Sequence, residues 1–166
     1  MICLSRLAPF AALLAALPLA ALAQTEGESA VPAYLDDRST PEQVVTSMYN
    51  AINRQEYLRA HSYYDPGTAP EWPAFREGYQ DTASVRLRTG EIITEGAAGT
   101  THSAVPVAIE ASRADGTTEV FAGCYRLTQV QPAAQETPPF RGIQIDSGTL
   151  EPAEAAFDDA MGSCDL

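Results

Sequence analysis

The fold turns on AVPVAIEASRADGTTEVFAGCYRLTQV, residues 104–130. Its first half alternates, with Val105, Val107, Ile109 and Ala111 on one side of an extended chain. A period of two predicts a β-strand. Asp115-Gly116 follows, a two-residue signal for a tight hairpin. The return stretch, residues 119–130, reads as a second strand with Cys124 in its middle. Folding about that turn pairs Ile109 with Ala122, Val107 with Cys124 and Val105 with Arg126 on one face. The other face then pairs Glu110 with Phe121, Ala108 with Gly123 and Pro106 with Tyr125. A slip of one residue would exchange the faces. In this register Arg126 sits among apolar side chains, where a guanidinium needs a partner. It would clamp a ligand carboxylate through two hydrogen bonds, or point to solvent or an acid from the strand end.

Outward from the hairpin the pattern stays legible. Upstream, ASVRLRTGEIITEG (83–96) sets Val85 and Leu87 against Arg86 and Arg88 with the same period of two. Downstream, QPAAQETPP (131–139) is a proline-rich loop, and FRGIQIDSGTL (140–150) is a last strand with Ile143 and Ile145 on one face and Gln144 and Asp146 on the other. Earlier still the period lengthens. Val44, Val45, Met48, Tyr49 and Ile52 form one helical face, with Thr40 as N-cap, Pro41 in the first turn and Gln43 completing a capping-box pattern. Tyr57, Leu58, Ala60 and Tyr64 suggest a second helix, stopped by Asp65-Pro66-Gly67. Trp72, Phe75 and Tyr79, three and four apart, suggest a short third one. Helices first and antiparallel strands after give an α+β layout, a curved sheet with helices on one face and room for a cavity between them.

The N-terminus reads as a secretory signal peptide, residues 1–23. Arg6 precedes an apolar run ending in Ala21-Leu22-Ala23, with cleavage expected before Gln24. Pro9 and Pro18 interrupt the run, which argues against a retained membrane anchor, and no cysteine follows the cleavage site to make a lipoprotein. Residues 24–38, acidic and without period, read as a flexible lead-in. The domain is expected over 39–152, with a tail over 153–166. The formal charge is −12, and losing Arg6 makes it one unit more negative. There is no lysine, which excludes lysine Schiff-base chemistry. The acidity and the lack of a basic stripe disfavour nucleic acid and anionic membranes. Two cysteines, Cys124 and Cys164, remain after cleavage. In an oxidising compartment that even count predicts a disulfide tying the tail to a central strand. A free buried thiol and a reactive cysteine are the other readings of Cys124.

Candidate site residues are aromatic. Tyr49, Tyr57, Tyr63, Tyr64, Trp72, Phe75 and Tyr79 cluster in the first half of the domain. They make either a helix-to-sheet core or the wall of a pocket in which polar tips orient a ligand. Tyr49, Tyr64, Trp72 and Tyr79, with Arg126, are the expected ligand-binding set. His61 and His102 are candidate bases without an identifiable partner, and Asp65 fits a turn better than catalysis. No phosphate loop, nucleophile elbow or metal-spaced histidine pair is present, so neither cofactor nor metal is expected.

TPEQVVTSMYNAINRQEYLRAHSYY (40–64), FREGYQDT (75–82), VPVAIEASRADGTTEVFAGCYRL (105–127) and FRGIQIDSGTLEP (140–152) together resemble the nuclear transport factor 2-like fold. The resemblance covers residues 39–152 and implies a cone-shaped α+β barrel with a pocket, often dimeric through its sheet. Enzymes of that family place an Asp or His base inside the cone, where the matching helix here carries Val44, Val45, Met48, Tyr49 and Ile52. The first expectation is therefore a noncatalytic secreted or periplasmic domain holding a small apolar or amphipathic molecule. A homodimerising or protein-interaction module using the open sheet face is the second. A small-molecule lyase or isomerase with Asp, His and Tyr in the cone is the third.

Overall fold

The computed structural model describes residues 31–165. The expected signal peptide, its cleavage site and the first residues of the lead-in lie outside that range. The described chain runs α1 (Pro41–Asn53), α2 (Tyr57–His61), α3 (Trp72–Tyr79), β1 (Thr82–Thr89), β2 (Ile93–Ala97), β3 (Thr100–Arg113), β4 (Thr118–Val130), a 3-10 turn (Pro132–Ala134) and β5 (Gln144–Pro152). It is an α+β fold with one open, five-stranded antiparallel sheet ordered β1-β3-β4-β5. β2 pairs with the other half of β3, so β1 and β2 run along one edge. The edge breaks at Gly90, whose N–H donates to the Pro106 carbonyl over 2.8 Å. Pro106 has no N–H to offer a ladder, and it sits in the long central strand at the point where the neighbouring strand is interrupted.

Helix α1 begins as its sequence dictates. The Gln43 N–H donates to Thr40 Oγ1 over 3.2 Å, satisfying one orphan donor of the first turn. Its apolar stripe is fully inside, with Val44, Val45, Met48, Tyr49 and Ile52 each no more than 2% exposed. Burying five such side chains is worth on the order of 10 kcal/mol before entropy. They pack on the sheet face carrying Val105, Val107, Ile109, Tyr125 and Leu127. Asn53 fixes the end of the helix to the β1 edge. Its amide donates to the Val85 carbonyl (2.8 Å) and accepts from the Val85 N–H (2.6 Å). Helix α2 is shorter than expected, ending at His61. The chain then crosses to the opposite edge, where the Ile145 N–H donates to the Tyr63 carbonyl (2.8 Å) and the Asp65 N–H to the Ile145 carbonyl (2.9 Å).

The hairpin register departs from the two-residue expectation. Ile109 pairs with Phe121, Val107 with Gly123, Val105 with Tyr125, Ala104 with Arg126 and Pro106 with Cys124. The loop has three residues, 114–116. The Gly116 N–H donates to the Arg113 carbonyl, and the Arg113 N–H donates to Thr117. Gly116 takes the left-handed conformation (φ +86°) that closes such a loop. Asp-Gly suits either loop, and burial decides between them. The observed register turns Phe121, Tyr125 and Leu127 toward the helices and puts Cys124 and Arg126 on the other face. The two-residue turn would bury an arginine and expose two aromatic rings. β5 also departs from simple alternation. It begins at Gln144, after Ile143, and a bulge at Asp146 shifts its register, so that Gly148 rather than a residue with a Cβ lies against Tyr125.

The lead-in, expected to be flexible, is anchored over its described part, and the tail, expected to be tied through Cys164, is packed on the sheet as well. In the strap 31–38, the Asp37 N–H donates to the buried Ser47 hydroxyl (2.8 Å), which donates back to the Asp37 carbonyl (3.2 Å). Arg59 reaches the Leu35 carbonyl (2.7 Å), and Tyr63 donates to Asp36 (2.7 Å). At the other end, residues 153–165 lie on the sheet face away from the helices. Phe157 and Ala160 pack on Ala108. Arg88 donates to the Phe157 carbonyl (2.7 Å), and the Gly162 N–H to the Val107 carbonyl (3.1 Å). The Cys124–Cys164 disulfide closes this layer, with Cα atoms 5.4 Å apart. The open sheet face that the interaction-module expectation needs is therefore partly covered by the chain's own C-terminus. Among the described residues, no helix is long and apolar enough to cross a membrane.

Candidate functional site

Helix α3 positions the site. Its spacing of three and four puts Trp72, Phe75 and Tyr79 along one flank. Phe75 is the anchor, 7% exposed. Its ring meets His61 at 5.2 Å, Tyr64 at 5.9 Å and Tyr79 at 5.2 Å between centroids, each edge to face. Such pairs add about 1 kcal/mol each beyond area burial. Between α3 and the hairpin end of the sheet the helices leave the strands uncovered, and a cavity of ≈ 530 Å³ remains. Val85, Ile109, Phe121 and Leu150 form its floor, Phe75 and Tyr79 its wall. Glu77, Asp81, Glu119 and Arg113 stand around it, and Arg113 is paired with Glu119 at 3.0 Å. The volume is in the range of small-molecule sites.

Beneath this cavity lies a cluster of phenols. The hydroxyls of Tyr49 and Tyr125 share a hydrogen bond, 2.7 Å between oxygens, with the rings edge to face at 6.2 Å. Tyr64 brings its hydroxyl beside that of Tyr125. Burial pushes the pKa of Tyr49 and Tyr125 well above the ordinary tyrosine value and raises that of Tyr64. Tyr79 is pushed up to about 12 by burial alone. The residue also lines the cavity, and its phenol adds to the upward shifts of Tyr49, Tyr64 and Tyr125. At neutral pH all four are uncharged. They can donate and accept hydrogen bonds but are poor proton acceptors for chemistry.

Of the expected ligand-binding set, Tyr79 lines this cavity. Tyr49 and Tyr64 lie in the core behind it. Trp72 stacks on Phe75, with centroids 6.5 Å apart, outside the lining. Arg126 is a correction. It is exposed on the opposite sheet face, beside the C-terminal segment, and cannot clamp a ligand between helices and sheet. Tyr125 was not singled out, because the expected register sent it outward. The signal was present in the parity of Tyr125 with Leu127.

The histidines have structural partners. His61 Nε2 lies 2.8 Å from the Pro70 carbonyl, so it carries the hydrogen and donates. His102 Nδ1 sits 3.0 Å from Thr128 Oγ1, whose own hydrogen goes to Asp146. The histidine therefore donates at Nδ1, on an exposed strand surface. Asp65 holds the turn after α2 by accepting from the Gly67 N–H (2.7 Å). No group of three His, Cys, Asp or Glu side chains among the described residues is placed to hold a metal ion.

No protein-family model and no curated protein matches the sequence. Among solved structures the chain is similar to the Kfla4162 protein from Kribbella flavida. The TM-score is 0.49 at 13% identity, over 70% of this chain and 90% of that one.

Proposed function

We propose that this chain is an exported, noncatalytic domain of the nuclear transport factor 2-like type that holds a small amphipathic molecule between α3 and the sheet. The observation that carries the reading is the ≈ 530 Å³ cavity, in which Val85, Ile109, Phe121 and Leu150 meet Phe75 and Tyr79. Apolar lining supplies affinity, and the polar groups around the opening supply orientation. Export is supported by the Cys124–Cys164 bond, which persists in oxidising compartments, and by the expected signal peptide. The lyase or isomerase alternative needs a carboxylate or imidazole beside a cavity hydroxyl. The groups packed around Tyr49 and Tyr125 are other tyrosines, and the carboxylates stand at the rim.

A neutral apolar dye, N-phenyl-1-naphthylamine, tests the reading by fluorescence titration. Saturable binding at one site per chain is expected. Ala111→Trp, which fills the cavity from β3, should weaken it at least tenfold while the circular dichroism stays native. Unsaturable binding, or equal affinity in a folded Ala111→Trp variant, would overturn the proposal.

A further inference from the structure

We infer that the ligand of this cavity is an organic cation, an apolar body ending in an alkylammonium or quaternary ammonium group. The inference rests on the cavity reading above and adds the sign of the ligand's charge.

Two features point the same way. The first is the charge around the opening. Glu77, Asp81 and Glu119 line it, and the single cation among the lining residues, Arg113, is held by Glu119 at 3.0 Å. Glu77 and Asp81 make no ion pair among the described residues. An anionic ligand would meet two uncompensated carboxylates and no free guanidinium. The second is the aromatic part of the lining. Phe75, Tyr79 and Phe121 surround the same space, with Phe75 and Tyr79 inclined at 61° to each other. Aromatic faces attract ammonium groups through the ring quadrupole, more strongly as water is excluded. Apolar and aromatic lining with carboxylates around the opening thus matches the two parts of an amphipathic cation.

Isothermal titration of the full, disulfide-bonded chain with octyltrimethylammonium, 1-octanol and octanoate separates the two layers of the argument. The three probes share a chain and differ in charge. The expected order is cation tightest, about tenfold over the alcohol, as one cation–π contact aided by carboxylates would give, with octanoate weakest. Glu77→Gln with Asp81→Asn removes exposed charges that the fold does not use. It should narrow the gap between cation and alcohol to less than threefold while leaving 1-octanol binding intact. If 1-octanol or octanoate binds as tightly as the cation, the charge inference is wrong and the cavity reading stands. If none of the three saturates, the cavity reading itself falls.

Discussion

Cutting the disulfide tests whether the C-terminal layer is part of the folded unit. Cys124 and Cys164 are 40 residues apart in sequence. In the loop-closure model a crosslink over that span removes about 4 kcal/mol of unfolded-state entropy. The C124S/C164S variant should lose that full amount only if the tail stays docked without the bond. Its other anchors argue that it does. Phe157 is 7% exposed against Ala108, Arg88 holds the Phe157 carbonyl, and Gly162 donates to Val107. A tail that peeled away would lower the free energy of the uncrosslinked native state and shrink the loss. Urea unfolding followed by far-UV circular dichroism reads the difference. With a slope of about 2 kcal/mol per molar urea, the midpoint should fall by about 2 M with a slope that holds or rises, because the uncrosslinked unfolded chain exposes more surface. A fall under about 0.5 M, or a slope that drops with the midpoint, would refute the tail as a third layer of the fold.

The phenol cluster supports two further expectations. Tyr49→Phe and Tyr125→Phe should each cost about 1 kcal/mol in urea unfolding, with a coupling of similar size in the double variant; a coupling near zero would mean the 2.7 Å contact contributes nothing. The raised pKa values of Tyr49, Tyr64, Tyr79 and Tyr125 also predict the shape of alkaline unfolding. Unfolded tyrosines titrate near 10, so above that pH the unfolded chain gives up protons that the native chain keeps. Their stabilising contribution is whole below pH 10 and is lost as pH climbs through about 12, the Tyr79 value. Phenolate absorbance from the cluster should therefore rise together with loss of circular dichroism, and its appearance in a still-folded chain would contradict the burial.

The sequence announced elements better than it announced their mutual placement. Period-two alternation around Val105–Ala111 marked β3, and the helical stripe from Val44 to Ile52 marked α1, because each pattern is local. The hairpin register depends on a choice between two loops that Asp115-Gly116 serves equally. The deciding energy is the burial of Phe121 and Tyr125 against helices far away in sequence. That one residue moved Arg126 out of the candidate site and Tyr125 into the phenol cluster. The strap was illegible for a different reason. Its hold comes from backbone groups meeting Ser47, Asn50 and Arg59 side chains, which leaves no hydrophobic period to read.

The two faces of the sheet also constrain where a ligand can go. One face is filled by α1 and the tyrosines, and the other carries Phe157, Ala160 and the disulfide. Helix α3 is only 8 residues long, and its buried residue is Phe75. It leaves the space above Ile109 and Phe121 unfilled. A longer helix or a larger residue at Gly78 would close that space with side chains, as α1 does. Gly78 has nothing within 4 Å of where a Cβ would stand, so no packing constraint demands a glycine there. The cavity follows from a short helix with small residues at Ala74 and Gly78 facing large ones across the gap. It is the part of the molecule where the rule of filled interiors is relaxed, and that relaxation is what a binding function needs.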